Sequence, residues 1–222
     1  MMQDAESNRR PLAVRSLAIS HRIARWLSRR QITPNQISVM SVVFAALGFV
    51  SLLGYASLER GAFLLLLAAI CIQLRLLCNL FDGMVAVEGG QQTPAGELFN
   101  DLPDRIADPL FIIGAGLVTQ SAYGMPLAWG CALLAVMTAY VRVLGVSMGG
   151  PADFRGPMAK QHRMALLTLA FITLSALELT QVLPDIRAYL MESVLVLMLV
   201  GLLATLWRRV QGIYRYHSNN PS

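Results

Sequence analysis

The chain has 222 residues and a formal net charge of +5; 55% of its residues are hydrophobic and only 14% are charged, against about a quarter charged in soluble domains. That balance excludes an ordinary soluble domain, and 222 residues leave room for six spans with short loops but for no second domain. The surplus cations flank apolar stretches and are not interleaved with stacking aromatics, which fits anionic membrane lipids and excludes a nucleic-acid partner.

Residues 1–30 read as a cytoplasmic tail and surface helix. Residues 1–12 are polar, and from Val14 to Arg30 Leu17, Ile19, Ile23, Ala24 and Leu27 alternate with Arg15, Arg22, Arg25, Arg29 and Arg30. This is a basic amphipathic helix, too charged to span, that should lie along the membrane. No pure apolar run follows these arginines before residue 37, so it is not a cleavable signal peptide.

Thr33-Pro34 then reads as N-cap and first helical residue of span one, Ile37 to Ala56. A turn at residues 57–60 leads to span two, Ala62 to Leu80, which continues into a polar segment from Asp82 to Gln92. Thr93-Pro94 restarts a helix that becomes span three and ends near Ser121. Span four covers Leu127 to Val146, span five Met164 to Leu179 and span six Tyr189 to Trp207, with a polar loop from Ser147 to Gln161. The expected fold is thus all-α, with one membrane domain over residues 31–215 and a tail at 216–222.

Seven arginines precede span one, and Arg155, Lys160, Arg163, Arg208, Arg209 and Arg215 fall on the same side; only Arg60 and Arg187 lie opposite. The positive-inside rule puts both termini in the cytoplasm, as an even span count requires, with the chain multi-pass in a cytoplasmic (inner) membrane. Cys71, Cys78 and Cys131 sit in apolar stretches and read as small buried hydrophobes. His21, His162 and His217 are too scattered for a metal site.

Six of the thirteen carboxylates, Asp82, Glu88, Glu97, Asp101, Asp104 and Asp108, fall between residues 82 and 108. A charge at the bilayer centre costs roughly 2.5–3.5 kcal/mol, so something positive should hold those embedded in helix. Helical spacing places Arg75, Asn79, Asp82 and Ala86 on one arc of span two, and Gly96, Asn100 and Asp104 one turn apart on the next helix. Two oxygen-rich faces can therefore meet, and carboxylate and amide oxygens suit a hard ion such as Mg²⁺ or Mn²⁺. Gly83, Ala86 and Gly96 permit close approach and leave room for a phosphate ligand. Glu88, Glu97 and Asp101 read equally well as a solvated loop.

Two cations interrupt apolar runs. Arg75 stands on the Asp82 face of span two, where it could pair with Asp82 or reach a phosphate; Arg142, in span four, is a candidate for an anionic acceptor or phosphate. Arg155, Lys160 and Arg163 could join it in a basic pocket, or could reflect topology alone.

The stretch NLFDGMVAVEGGQQTPAGELFNDLPD resembles the signature of the CDP-alcohol phosphatidyltransferase family, Asp-x2-Asp-Gly-x2-Ala-Arg-x8-Gly-x3-Asp-x3-Asp. Asp82, Gly83, Ala86, Gly96 and Asp104 match in type and spacing; Asn79, Val87 and Asn100 stand at the first Asp, the Arg and the third Asp. The ITPNQIS entry to span one and the YVR stretch of span four extend the likeness over most of the chain. The resemblance implies transfer of a substituted phosphoryl group from a CDP-linked lipid donor to an alcohol acceptor with release of CMP, by a homodimer using Mg²⁺ or Mn²⁺. It implies metal binding by Asn79, Asp82, Asn100 and Asp104, with Asp104 as general base, and nucleotide contact at Gly83, Ala86 and Gly96. The amides at positions 79 and 100 remove two negative charges, which supports a second reading: a catalytically silent relative that binds lipid or nucleotide, or a scaffold.

Overall fold

The computed structural model describes residues 18–58, 61–88 and 96–220. The polar tail expected over residues 1–12 and the Thr93-Pro94 restart lie outside them. Seven helices follow in order: α1 (Ala18–Arg29), α2 (Pro34–Ser57), α3 (Ala62–Glu88), α4 (Gly96–Val118), α5 (Gly124–Ser147), α6 (Lys160–Thr180) and α7 (Pro184–Asn219). The helix α1 is the amphipathic segment; it packs on α3 through the fully buried Ala24, while Arg30 lies over the exposed Trp26 ring at 5.6 Å.

The start of α2 is as its sequence dictates. The Thr33 hydroxyl accepts from the Gln36 N–H at 3.3 Å, and the Gln36 side chain accepts from the Thr33 N–H at 3.0 Å, with Pro34 in the first turn. This capping box satisfies two orphan donors reciprocally.

Five helices, α2, α3, α5, α6 and α7, are long and apolar enough to cross a membrane. The sixth expected span, α4, has the length, but Asp101, Asp104, Arg105 and Asp108 break its apolar run. Valines, leucines and aromatics such as Val43, Leu47, Val50, Trp129, Leu133 and Tyr140 face outward, as lipid-facing surfaces require. The protein is an all-α, multi-pass membrane protein. The last helix is longer than expected: its 36 residues run to Asn219, about 54 Å against a hydrocarbon core of about 30 Å. Residues 216–219, read as tail, are helical.

The six long helices form a ring in the order α2, α3, α6, α7, α5, α4 and back to α2. Consecutive α3 and α4 are therefore not packed side by side. Both lean on α2, and they approach each other mainly where their polar ends meet. Small residues set the α2–α4 distance: a β-carbon on Gly48 would stand 2.4 Å from Cε1 of the buried Phe111. Pro103 and Pro109 interrupt α4, each withholding an N–H from the carbonyl four residues earlier. Cys71, Cys78 and Cys131 are buried and unpaired as disulfides.

The close α2–α4 approach makes Gly48 sensitive to enlargement. Gly48→Ala should cost about 1–3 kcal/mol and lower the thermal midpoint in detergent. Gly54→Ala, where the nearest atom is Leu64 Cδ1 at 3.5 Å, should leave it nearly unchanged.

Candidate active site

Arg75 is fully buried on α3, and its Nη2 donates to Asp104 Oδ1 at 2.8 Å and to Asp108 Oδ1 at 2.7 Å. Arg163, near the start of α6, donates to the other Asp108 oxygen at 2.7 Å and to the Met158 carbonyl at 2.9 Å. Asn79 Nδ2 also donates to Asp104 Oδ1, and the Lys160 ammonium binds Asp104 Oδ2. Asp82, 4% exposed, accepts from the Ser38 hydroxyl of α2 at 2.7 Å and from the Gly83 N–H. The Asp82 and Asp104 carboxylates lie near enough to repel each other, and both feel the Lys160 charge.

Three carboxylates (Asp82, Asp104, Asp108) thus share an interior with three cations (Arg75, Lys160, Arg163). In a low-dielectric interior an unpaired charge is expensive, and the web removes that cost without net charge. Arg75 pairs with Asp104 and Asp108, rather than with Asp82 on its own helix. Its Nε and Nη1 remain buried with no hydrogen-bond partner among the described residues, donors that an anionic oxygen or water would satisfy.

Arg142 belongs to a neighbouring group. Its Nη2 donates to both Asp101 oxygens, at 3.1 and 3.0 Å, and its guanidinium lies 5.0 Å over the Phe154 ring. Arg105 holds Asp101 from the other side at 2.8 Å. Asp101 is therefore engaged by two arginines. Phe154 also lines a recess of about 570 Å³ with Arg155, Tyr216 and His217. On its wall, burial pushes the Asp153 carboxyl up, but hydrogen bonds from Arg155 outweigh that and hold it below its ordinary value. Asn100 takes its place one turn before Asp104 on α4, while its side chain and that of Glu88 lie outside the described residues. Gly83 and Ala86 are half-buried beside Asp82, Gly96 opens α4, and Val87 is exposed.

Sequence spacing set Asn79 and Asp82 facing Asp104, and of these the Asn79–Asp104 hydrogen bond is a direct contact. It gave no role to Ser38 or Asp108, and it left Lys160 and Arg163 undecided between pocket and topology. The sign available was the position of both cations at the very start of an apolar helix, one turn apart.

Among the described residues no group of three His, Cys, Asp or Glu side chains is placed to hold a metal ion; two of the four expected ligand positions are amides. The donor set is nonetheless all oxygen. Asp82 and Asp104 retain acceptor capacity beyond their present partners, and the chemistry fits a single hard divalent ion held by fewer charges than four aspartates would give.

A model of the CDP-alcohol phosphatidyltransferase family matches residues 31–209. The chain belongs to this family. It is accordingly a membrane transferase of phospholipid synthesis, moving a phosphatidyl group from a CDP-linked donor to an alcohol. Inner membrane protein YnbA of Escherichia coli (strain K12) is 28% identical over 145 residues, covering 65% of this chain and 69% of the relative. The bifunctional IPC transferase and DIPP synthase of Rubrobacter xylanophilus is 34% identical over 145 residues, 62% of this chain but only 30% of that longer protein. Two crystal structures of Mycobacterium tuberculosis phosphatidylinositol phosphate synthase share the fold at 18% identity. The one with CDP-DAG bound gives a TM-score of 0.69 over 89% of this chain and 94% of that one. The one with manganese and citrate gives 0.68 over 88% of each. The family is divalent-metal dependent.

The web makes a contrast between two arginines. Arg75→Met leaves Asp104 and Asp108 short of a buried partner and should cost about 3–5 kcal/mol, read as loss of monodisperse protein on size exclusion. Arg142→Met, at a partly exposed pair, should change the thermal midpoint little, by about 0–1 kcal/mol.

Proposed function

We propose that the chain transfers the phosphatidyl group of CDP-diacylglycerol to an alcohol at the Asp82–Asp104 cluster, with both termini in the cytoplasm and the protein working as a homodimer. The observation that carries the site is the convergence of Asn79, Asp82 and Asp104, at family spacing, on one polar interior between α3 and α4.

Asp82, Asp104, Asn79 and Asn100 would hold one Mg²⁺ or Mn²⁺. Such an ion, when bound, neutralises the diphosphate and stabilises CMP as leaving group. The remaining work falls to the chain's own groups. Arg75 and Asn79 fix Asp104 Oδ1, so Oδ2, which carries only Lys160, is the oxygen that takes the proton of the attacking hydroxyl. The new bond forms from the acceptor oxygen to the phosphatidyl phosphorus; the bond to the bridging oxygen breaks, and CMP leaves with its electron pair. Gly83, Ala86 and Gly96 give the nucleotide room. Arg142, with Phe154 and the recess behind it, would guide the acceptor, and the donor's acyl chains stay in the leaflet.

A silent relative is the second reading, supported by the neutral ion-pair web and the two amides. One assay separates them. Purified protein with CDP-diacylglycerol and a panel of alcohols should release CMP, fall to background with EDTA and recover with Mg²⁺ or Mn²⁺. Asp104→Asn should lower turnover by about 10²–10⁴-fold. Nucleotide binding with no CMP release for any alcohol would favour the silent relative.

A further inference from the structure

The chain has 17 arginines and one lysine, Lys160. That single ammonium is the one that binds Asp104 Oδ2, and Asp82 feels the same charge. Arg75 holds Asp104 and Asp108, Arg163 holds Asp108 and the Met158 carbonyl, and their side chains are 0% and 5% exposed. Lys160 has Asp104 as its one ion-pair partner among the described residues, and its side chain is 27% exposed. It is also the first residue of α6, at the end of the loop that follows α5. Of the three cations it alone is partly exposed, and Arg75 stays on Asp104 when it leaves.

We infer that Lys160 is a tethered cation that holds the divalent ion's position between Asp82 and Asp104 and gives way when the ion arrives. An ammonium is a compact point charge with three donors, whereas a guanidinium is a planar fork; only the former can stand where an ion meets several oxygens. Asn79 and Asn100 leave only Asp82 and Asp104 as carboxylates at the four positions, so the ammonium and a share of Arg75 offset what remains. The ion and the ammonium cannot both stand against Asp104, because like charges at contact distance repel strongly in a poorly screened interior. Arrival of the ion therefore drives the ammonium off Asp104, and without the ion that carboxylate keeps its pairing with Lys160. This inference rests on the metal reading proposed above.

Mn²⁺ binding to the purified full chain in detergent, without nucleotide and read by electron paramagnetic resonance, tests it. Lys160→Gln should bind Mn²⁺ about tenfold more tightly than the unmodified chain, the effect of removing one resident charge. Arg75 and Asn79 still hold Asp104 in that variant. The unmodified chain gives a second reading: Lys160 carries its only ε-amine, so labelling of that residue by an amine reagent, followed by mass spectrometry, should run several-fold faster with saturating Mn²⁺ than without. Equal or weaker binding by Lys160→Gln, or labelling that Mn²⁺ does not accelerate although it binds, overturns the inference and leaves the metal reading standing. No Mn²⁺ binding by either protein overturns both.

Discussion

Charge in an apolar interior cannot be left alone, and the whole architecture answers to that constraint. Asp104 and Asp108 lie one turn apart on a helix whose prolines already weaken its backbone ladder. Their partners come from α3 and α6, the two elements that face α4 across the ring. Remove that pairing and α4 has no reason to stay among lipid-facing helices, since its own composition is too polar to span unaided. The ring order therefore serves the pairing: α4 is placed where three cations can reach its inner face while its apolar residues face its neighbours.

Much of this was legible beforehand. Periodic apolar runs gave the long helices, and the Thr33-Pro34 start follows from capping chemistry that any reader of the sequence can apply. Residues one turn apart on a helix share a face, so Asn79 and Asp82 on one helix, and Asn100 and Asp104 on the next, could be grouped from spacing alone. Contacts between distant segments were not legible, because periodicity says which face a residue occupies and nothing about which helix lies opposite. Arg75 was free to choose between Asp82 and the next helix, and the ring decided for Asp104 and Asp108. Lys160 and Arg163 had the composition of a topological signal, and only the packing of α6 on α3 showed them turned inward. Ser38 carries no charge and left no mark until α2 was seen beside Asp82.

Polar chemistry is also divided between ends. At the far end of α6, the buried Glu178 accepts from the Tyr55 hydroxyl at 2.8 Å and lies 3.8 Å from Arg187. This second group joins α2, α6 and α7 where Asp82 and Asp104 are out of reach. It ties α2, α6 and α7 together at the opposite end of the bundle.

The loop between α5 and α6 is anchored in a way that reaches the cluster. Gly156 has φ +135°, and a β-carbon there would stand 2.4 Å from Thr205, whose hydroxyl accepts the Met158 N–H at 2.9 Å. Arg209 grips the same loop through the Arg155 carbonyl at 3.1 Å. Lys160 follows within four residues. The overhanging end of α7 is thus a measuring rod for the cation: one wrong atom at position 156 would misplace a charge it never touches, and a scan for damaging substitutions would find a hot position with no polar chemistry of its own.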